Sequence, residues 1–407
     1  MPRPPRPEDL YRLRIATEPR LSPDGRWAVV TLQTVAPTYD GYRQALWLVP
    51  TDQAADGAPR QLTIGVRNDR HPRFSPDGRS LAFISDRRLQ AEEEPSRPKD
   101  ATEREDKDQV HVLPLDGPGE ARRVSDLPRG VEAFEWSPDG RRLVVVSTSH
   151  GATHEEDARR RGKGRKPRPG EVPDSDYRFI DRLGYMLNGP GFQYDRIRHL
   201  WLVDVASGDA RRLTDGAVSD LEPAWSPDGT RIAFVSDRHR DHDLAERPAI
   251  HVVDVATGAV HAVTGGPRSV FGTPVWLDGA TIAALGSKLE GRGGSRNDIW
   301  LFPADGSEAS AEGGRNLSGR HDLMPGSGVA SDVTKGEPAR LIATPDGASI
   351  DFLAPIDGSY ELWRISVSGG GLARLTTGRH HLSSFDAVTR RGRTARVYLR
   401  STPTEPP

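Results

Sequence analysis

Short apolar runs recur along the chain, as in Leu81-Ala82-Phe83-Ile84, Leu143 to Val146, Ile232-Ala233-Phe234-Val235 and Ile282-Ala283-Ala284-Leu285. They are too short for helices and have no polar alternation, which suits strands buried on both faces. Most follow the same tetrapeptide. Ser-Pro-Asp-Gly occurs at Ser22–Gly25, Ser75–Gly78, Ser137–Gly140 and Ser226–Gly229, and Thr344-Pro345-Asp346-Gly347 is a fifth copy. Leu277-Asp278-Gly279 and Arg390-Arg391-Gly392 stand where two degenerate copies belong. In such a turn Ser accepts a backbone N–H, Pro fixes φ and Gly leaves the turn without steric penalty. A large residue precedes it at Phe74, Trp136, Trp225 and Trp276.

A third strand follows each time, for example Leu46-Trp47-Leu48-Val49, Leu200-Trp201-Leu202-Val203 and Ile299-Trp300-Leu301-Phe302. A fourth ends in Leu-Thr or a near variant: Leu62-Thr63, Val124-Ser125, Leu213-Thr214, Val263-Thr264, Leu317-Ser318 and Leu375-Thr376. The turn glycines fall at 25, 78, 140, 229, 279, 347 and 392, a basic period of 45 to 53 residues with insertions. Four strands per repeat and seven repeats predict an all-β, seven-bladed β-propeller of four-stranded antiparallel blades. Stacking around an axis buries blade faces that no single blade could bury alone. Residues 1–16 read as an N-terminal arm able to lend one strand, Leu10 to Ile15, and 17–407 as the propeller. The last repeat has strands near Leu382 to Val388 and Ala395 to Arg400, and blade seven is cut short after about 400. An open blade leaves unpaired backbone groups, so the chain reads as a piece of a longer protein.

Two segments break the period. The charged loop 90–108 carries Glu92-Glu93-Glu94, and the insertion 151–195 opens on a basic run from Arg159 to Arg168. Both read as solvated loops. The later part of the insertion, Arg182 to Tyr194, holds three aromatics and favours order, over a propeller face or beside blade three. With 56 basic and 58 acidic residues the net charge is −2, which argues against a nucleic-acid partner bound by bulk electrostatics. There is no cysteine, so thiolate nucleophiles, disulfides and zinc–thiolate sites are excluded. Gly and Pro together make 76 of 407 residues (42 + 34), as a turn-rich fold requires. The Met-Pro-Arg-Pro-Pro-Arg-Pro start has no apolar signal core, and no run is long enough to span a bilayer. The expectation is a cytoplasmic chain with no membrane partner.

The chemistry-bearing types are scattered. No Ser has Gly on both sides at the spacing of a nucleophile elbow; Gly293-Gly294-Ser295-Arg296-Asn297 fails at its last position. No catalytic residue is assigned. His239, Asp241, His242 and Asp243 include metal-ligand types, but Arg238 and Arg240 flank them and repel a cation, so they read as a solvated turn. His380-His381 reads as exposed or packed. Single Asp residues in the turns do not make a calcium loop, and Gly291 to Gly294 opens no helix that could hold a phosphate. Asn316-Leu317-Ser318 is a formal glycosylation sequon read as idle. No metal or cofactor is expected. Ser85-Asp86-Arg87 and Ser236-Asp237-Arg238 end second strands, where an Asp–Arg pair is expected to tie neighbouring blades.

The order of Asp9 to Leu13, Pro19 to Gly25, Leu46 to Pro50, Pro59 to Thr63, Pro72 to Gly78, Leu81 to Arg87 and Leu187 to Phe192 resembles acylaminoacyl-peptidase-like enzymes of the prolyl oligopeptidase family of serine peptidases. The resemblance runs along nearly the whole chain, although the Pro-Asp-Gly repeat alone is shared with TolB-like propellers. It implies an N-terminal propeller that gates access to a Ser-Asp-His triad in a following α/β-hydrolase domain, which cleaves short or N-blocked peptides. That domain is absent from this chain, so the chain alone is expected to be inactive. Its expected partners are a peptide substrate, through the missing domain, and a second copy of itself. The alternative is a free-standing TolB-like propeller that scaffolds protein interactions.

Overall fold

The computed structural model describes residues 4, 6–38, 41–51, 57–87, 108–117, 119–150, 180, 183–187, 191–192, 196–266, 268–288, 296–307, 313–327, 338–369 and 371–402. The charged loop up to 107, the basic run, the glycine-rich stretch 291–294 and the tail 403–407 lie outside them.

Among the described residues the chain builds six four-stranded antiparallel blades, not seven. Their innermost strands are Arg14–Leu21, Asp69–Phe74, Ala133–Trp136, Asp220–Trp225, Ser269–Trp276 and Leu341–Ala343. The seventh repeat supplies a two-stranded hairpin, His381–Arg390 with Arg393–Ser401, joined to the sixth blade's sheet at one parallel bridge between Tyr360 and His381. The seven-blade expectation counted repeats, and two strands of the last repeat have no counterpart in the described chain. The arm forms a short 3-10 helix, Pro7–Arg12, rather than a strand, and the first inner strand starts at Arg14.

Each turn repeats one set of bonds. In the first four copies the Ser hydroxyl donates to the turn Asp at 2.5–2.6 Å and accepts the N–H of the residue five positions on, at 2.9–3.0 Å. Thr344 does the same with Asp346 and Ser349. The turn Gly takes φ of +64° to +74°, where a β-carbon is strained. The hydroxyl holds the Asp77, Asp139, Asp228 and Asp346 carboxyls below the usual carboxylate range.

The Leu-Thr signature has an equally local cause. Just past each short fourth strand, the hydroxyl accepts a third-strand N–H at 2.8–3.0 Å: Thr63 from Leu46, Ser125 from Val110, Thr214 from Leu200, Thr264 from Ile250, Ser318 from Ile299 and Thr376 from Leu362. Side chain thus replaces backbone where the ladder ends.

Burial happens between blades. Six clusters of buried apolar residues lie one at each successive junction, from blade 1 with blade 2 to blade 6 with the hairpin. The tryptophan before the turn crosses the junction. Trp136, Trp225 and Trp276 donate Nε1–H to the carbonyls of Arg73, Glu135 and Ala224 on the preceding inner strand, at 3.2, 3.2 and 3.0 Å. Arg142 and Arg231 of the preceding blade lie over the Trp225 and Trp276 rings, at 5.6 and 4.9 Å. At the rim, Arg122 and Arg315 reach the Val205 and Val367 carbonyls of the next blade at 2.6 and 2.7 Å, and Arg211 reaches that of Val255.

The ring closes where the hairpin meets blade 1. No apolar cluster marks this junction among the described residues. Leu21 N–H donates to Asp386 at 2.8 Å instead, and Arg340 of blade 6 meets the same carboxylate at 3.2 Å.

Trp225→Phe keeps the ring and loses the bond to Glu135, so it should lower unfolding free energy by about 1 kcal/mol. Trp225→Ala should lower it by about 3–5 kcal/mol, through the cavity between blades 3 and 4. Denaturant unfolding of both variants checks the pair; equal costs would mean that the indole bond contributes nothing.

Candidate functional site

In a four-stranded meander, the links between strands one and two, and three and four, lie at one end of the blade. The links between strands two and three, and from one blade to the next, lie at the other. The Ser-Pro-Asp-Gly turns therefore ring one face, the turn face. Consecutive turns touch there: a β-carbon added at Gly78, Gly140 or Gly229 would meet Pro23, Pro76 or Pro138 of the blade before. The opposite, loop face carries the connections of varied length, the insertions and both ends of the described chain.

The axial lumen is lined by the inner strands. Four of them bulge before a proline, and the bulged residue takes positive φ: Glu18 (53°), His71 (56°), Glu222 (51°) and Thr273 (53°). This is rare for residues other than glycine, and the neighbouring blade supports it. Glu18 accepts the His71 N–H at 2.7 Å, and Glu222 accepts the Thr273 N–H at 2.6 Å. The signal was present in the sequence as a proline three positions before the turn residue, at 19, 72, 223 and 274, but the turn motif alone does not draw attention to it.

Two residues before the turn stand Arg20, Arg73, Glu135, Ala224 and Val275. This position is thus charged at blades 1 to 3, while at blades 4 and 5 Ala224 and Val275 pack against the apolar clusters of the junctions. Arg73 pairs with Glu135 at 3.0 Å, and Glu18 sits 3.5 Å from His71 Nδ1. Burial, then the nearby Arg73, pushes the His71 pKa down. Glu18 is held well below the usual carboxylate range although burial alone would raise it, because bonding to and the charge of His71 outweigh that cost.

A cavity of about 300 Å³ opens beside this set, lined by Arg20, Arg73, Arg340 and Asp386 with Leu21, Pro23, Phe74, Ser75, Pro76 and Val388. None of these was singled out from the sequence as a binding residue. Aligning the repeats on the turn, and reading the positions just before it, would have found Arg20 and Arg73.

The residues weighed from the sequence have other roles. Arg238 does make a bidentate pair, but with Asp220 of its own blade, at 2.8 Å to both oxygens, and Arg87 meets Asp69 at 2.7 Å, also within its blade. The expected tie between neighbouring blades is corrected: second and first strands of one blade bring these groups together. The link between blades comes from His199, whose Nδ1 lies 3.2 Å from Asp220. The triplet's own Asp237 lies 2.6 Å from His239 Nε2, while the Asp241 N–H donates to His239 Nδ1 at 3.2 Å. Arg247 Nη2 also lies 3.1 Å from His239 Nδ1, and no group of three metal-ligating side chains occurs among the described residues. His380 is packed against Glu361 at 2.9 Å, and His381 stacks on Tyr360. The sequon's Asn316 gives its amide to Asp298 at 3.0 Å and accepts the Gly319 N–H at 2.7 Å. The insertion's described residues form a small hairpin, Met186–Leu187 with Gly191–Phe192, and Leu183 N–H reaches Asp243 of blade 4 at 3.1 Å. The insertion therefore extends past blade three across the loop face. No helix among the described residues is long and apolar enough to cross a membrane.

No family model matches the chain. The uncharacterized peptidase YuxL of Bacillus subtilis is 30% identical over 246 residues, covering 60% of this chain and 33% of YuxL. Dipeptidyl-peptidase 5 of Porphyromonas gingivalis is 23% identical over 404 residues, covering 93% of this chain and 50% of its own. Among solved structures, the acylaminoacyl peptidase of Pyrococcus horikoshii superposes with a TM-score of 0.66 at 17% identity, covering 98% of this chain and 51% of that one. The chain thus spans about half or less of the length of each of these relatives. In sequence and in fold it is similar to the propeller part that acylaminoacyl peptidases and their relatives in the prolyl oligopeptidase family carry.

The buried histidines set a pH window. Burial, then Arg87, lowers the His111 pKa to about 4, and burial lowers those of His71 and His251. Each takes up its proton less readily folded than unfolded. Their contribution is complete above the unfolded value near 6.5 and is lost as pH falls toward the folded values. Unfolding free energy should decline between pH 6.5 and 4, with roughly 3 kcal/mol of the change from His111. His111→Gln should flatten that slope in denaturant titrations at pH 7.5, 6, 5 and 4; an unchanged slope would remove His111 as its source.

Proposed function

We propose that this chain is the substrate-access propeller of a serine peptidase of the prolyl oligopeptidase family, acting on short or N-blocked peptides. The hydrolysing residues would belong to a domain beyond the described chain. One observation carries the reading. Of the exposed large apolar side chains, Leu10, Tyr11, Leu13, Tyr42, Ile64, Val66, Ile180, Leu183, Met186, Leu244 and Met324 all lie in connections of the loop face or at its strand ends. Val260 and Tyr398 lie on strands elsewhere, and Leu221 is the second residue of an inner strand. Apolar side chains gathered at one end of a disk mark an interaction surface. The first strand begins at that end and the last one finishes there, so a domain attached to this chain would cover it.

In that arrangement the propeller contributes exclusion by size. It would admit an extended peptide, a single strand wide, and exclude a folded protein. Among the described residues Arg393–Ser401 is the last strand of its sheet and pairs with His381–Arg390, and further strands added beside it would complete a seventh blade. Likeness to peptidase propellers along nearly the whole chain favours this reading over a free-standing scaffold.

The isolated 407-residue chain should not hydrolyse N-acetylated or free dipeptide anilides. The native protein in its source cells should run well above 44.6 kDa and react with a fluorophosphonate serine probe. A native species of 44.6 kDa that the probe leaves unlabelled would overturn the peptidase reading.

A further inference from the structure

The cavity at the turn face exists because of a substitution within the repeat. At blades 3, 4 and 5 the residue before the turn is Trp136, Trp225 or Trp276, and its indole fills the junction with the preceding blade. At blades 1 and 2 the same position holds Leu21 and Phe74, and at the hairpin Val388 stands next to the equivalent turn. These three line the cavity. The cavity thus lies at units whose turn is not preceded by tryptophan, beside guanidinium groups.

The polar lining is Arg20, Arg73, Arg340 and Ser75 with one carboxylate, Asp386, whose oxygens already take the Leu21 N–H at 2.8 Å and Arg340 at 3.2 Å. Behind this layer Glu135 holds Arg73, and Glu18 is held by the Thr31 hydroxyl and the His71 N–H. Arg340 Nη1 is buried and has no acceptor among the described residues. A buried guanidinium N–H without a partner costs about 1–3 kcal/mol, more for a charged group. An anionic acceptor brought by a ligand would recover that cost through a charge-assisted bond. The rest of the lining, Leu21, Pro23, Phe74, Pro76 and Val388, is apolar, so the fitting ligand carries an apolar group next to its anion.

We propose that this cavity binds a carboxylate whose adjoining group is apolar, the C-terminal residue of a short peptide, with Arg340, Arg73 and Arg20 facing the carboxylate and Phe74 and Val388 the side chain. The carboxylate site stands on the cavity alone; the peptide as its carrier rests on the peptidase reading above. The site lies at the turn face, away from the apolar loop face, and so would sort peptides at the distal mouth of the lumen.

Calorimetric titration of the full chain tests it with 3-phenylpropionate, N-acetylphenylalanine, N-acetylphenylalanine amide and inorganic phosphate. Both carboxylates should bind, and the amide at least about tenfold more weakly, the loss of one charge-assisted bond. Arg340→Gln should weaken carboxylate binding by a similar factor. Phe74→Trp, which restores the repeat's own residue, should abolish binding without lowering the melting temperature, and it keeps the test sound if Arg340→Gln fails to fold. Equal binding of acid and amide, phosphate binding as tightly as the carboxylates, or unchanged binding in Phe74→Trp would overturn the site. Binding of 3-phenylpropionate but not of N-acetylphenylalanine would overturn the peptide as carrier and leave the peptidase reading untouched.

Discussion

Every blade depends on its neighbour, because a four-stranded sheet of this size has two apolar faces and no partner within itself. At blades 3, 4 and 5 the tryptophan before the turn is where that dependence becomes specific. Its ring lies in the junction, its N–H is bonded to the preceding inner strand, and at Trp225 and Trp276 an arginine of the preceding blade covers it. Apolar burial alone is non-directional and would tolerate blades sliding on one another. A directional bond from an anchored ring to one carbonyl fixes the offset of each blade, and with it the angle that brings the ring to closure. The same logic explains the cavity: where Leu21 and Phe74 replace tryptophan, the junction is less filled and arginine side chains occupy its edge.

The buried carboxylates follow from the same architecture. A strand that ends inside a stack leaves N–H groups that no ladder can reach, and side chains must serve them. Glu361 is fully buried, yet it is met by Arg374 at 2.7 Å, His380 at 2.9 Å and Thr376 at 2.5 Å. Asp351 sits between Arg364 of its own blade and Arg396 of the hairpin, at 2.6 and 2.9 Å. Such pairs add little net stability over an apolar alternative, because desolvation offsets attraction, but losing one partner leaves a buried charge and is costly. They act as registers for neighbouring strands rather than as a source of cohesion.

The turn motif made the blade count nearly legible. Ser-Pro-Asp-Gly encodes its conformation in four adjacent residues, so the first two strands of each repeat could be placed from sequence. The fourth strands were legible only through Leu-Thr, since strands such as Arg60–Gln61 and Arg122–Arg123 are two residues long and carry no periodicity. What stayed hidden was what depends on distance along the chain. Arg238 finds Asp220 because two strands of one blade are adjacent, and no local pattern separates that partner from one in the next blade. Arg340 and Asp386 meet between blade 6 and the hairpin, 46 positions apart, and only the packing of those two units makes them neighbours. The lumen residues were hidden for a subtler reason. They alternate with the tryptophan position along a bulged strand, and the bulge shifts the register on which a two-residue period would be read.

The closing junction differs in kind from the other six. Apolar layers join each unit to the next as far as the hairpin, whereas the hairpin meets blade 1 through Asp386, the Leu21 N–H and the approach of Gly25 to Ala395. A polar seam is weaker in water than an apolar one, since the solvent competes for every bond in it. It is also the seam nearest to both ends of the described chain and to the cavity. Opening at this junction would separate Leu21 from Asp386 and draw Arg340 away from Arg20, so the cavity and the closure of the ring share the same side chains. A ligand that bridges Arg340 of blade 6 and Arg73 of blade 2 would hold the seam shut from the turn face. A domain covering the loop face would hold it from the other end. Occupancy at one face would then favour binding at the other, because both act on one equilibrium between closed and open rings.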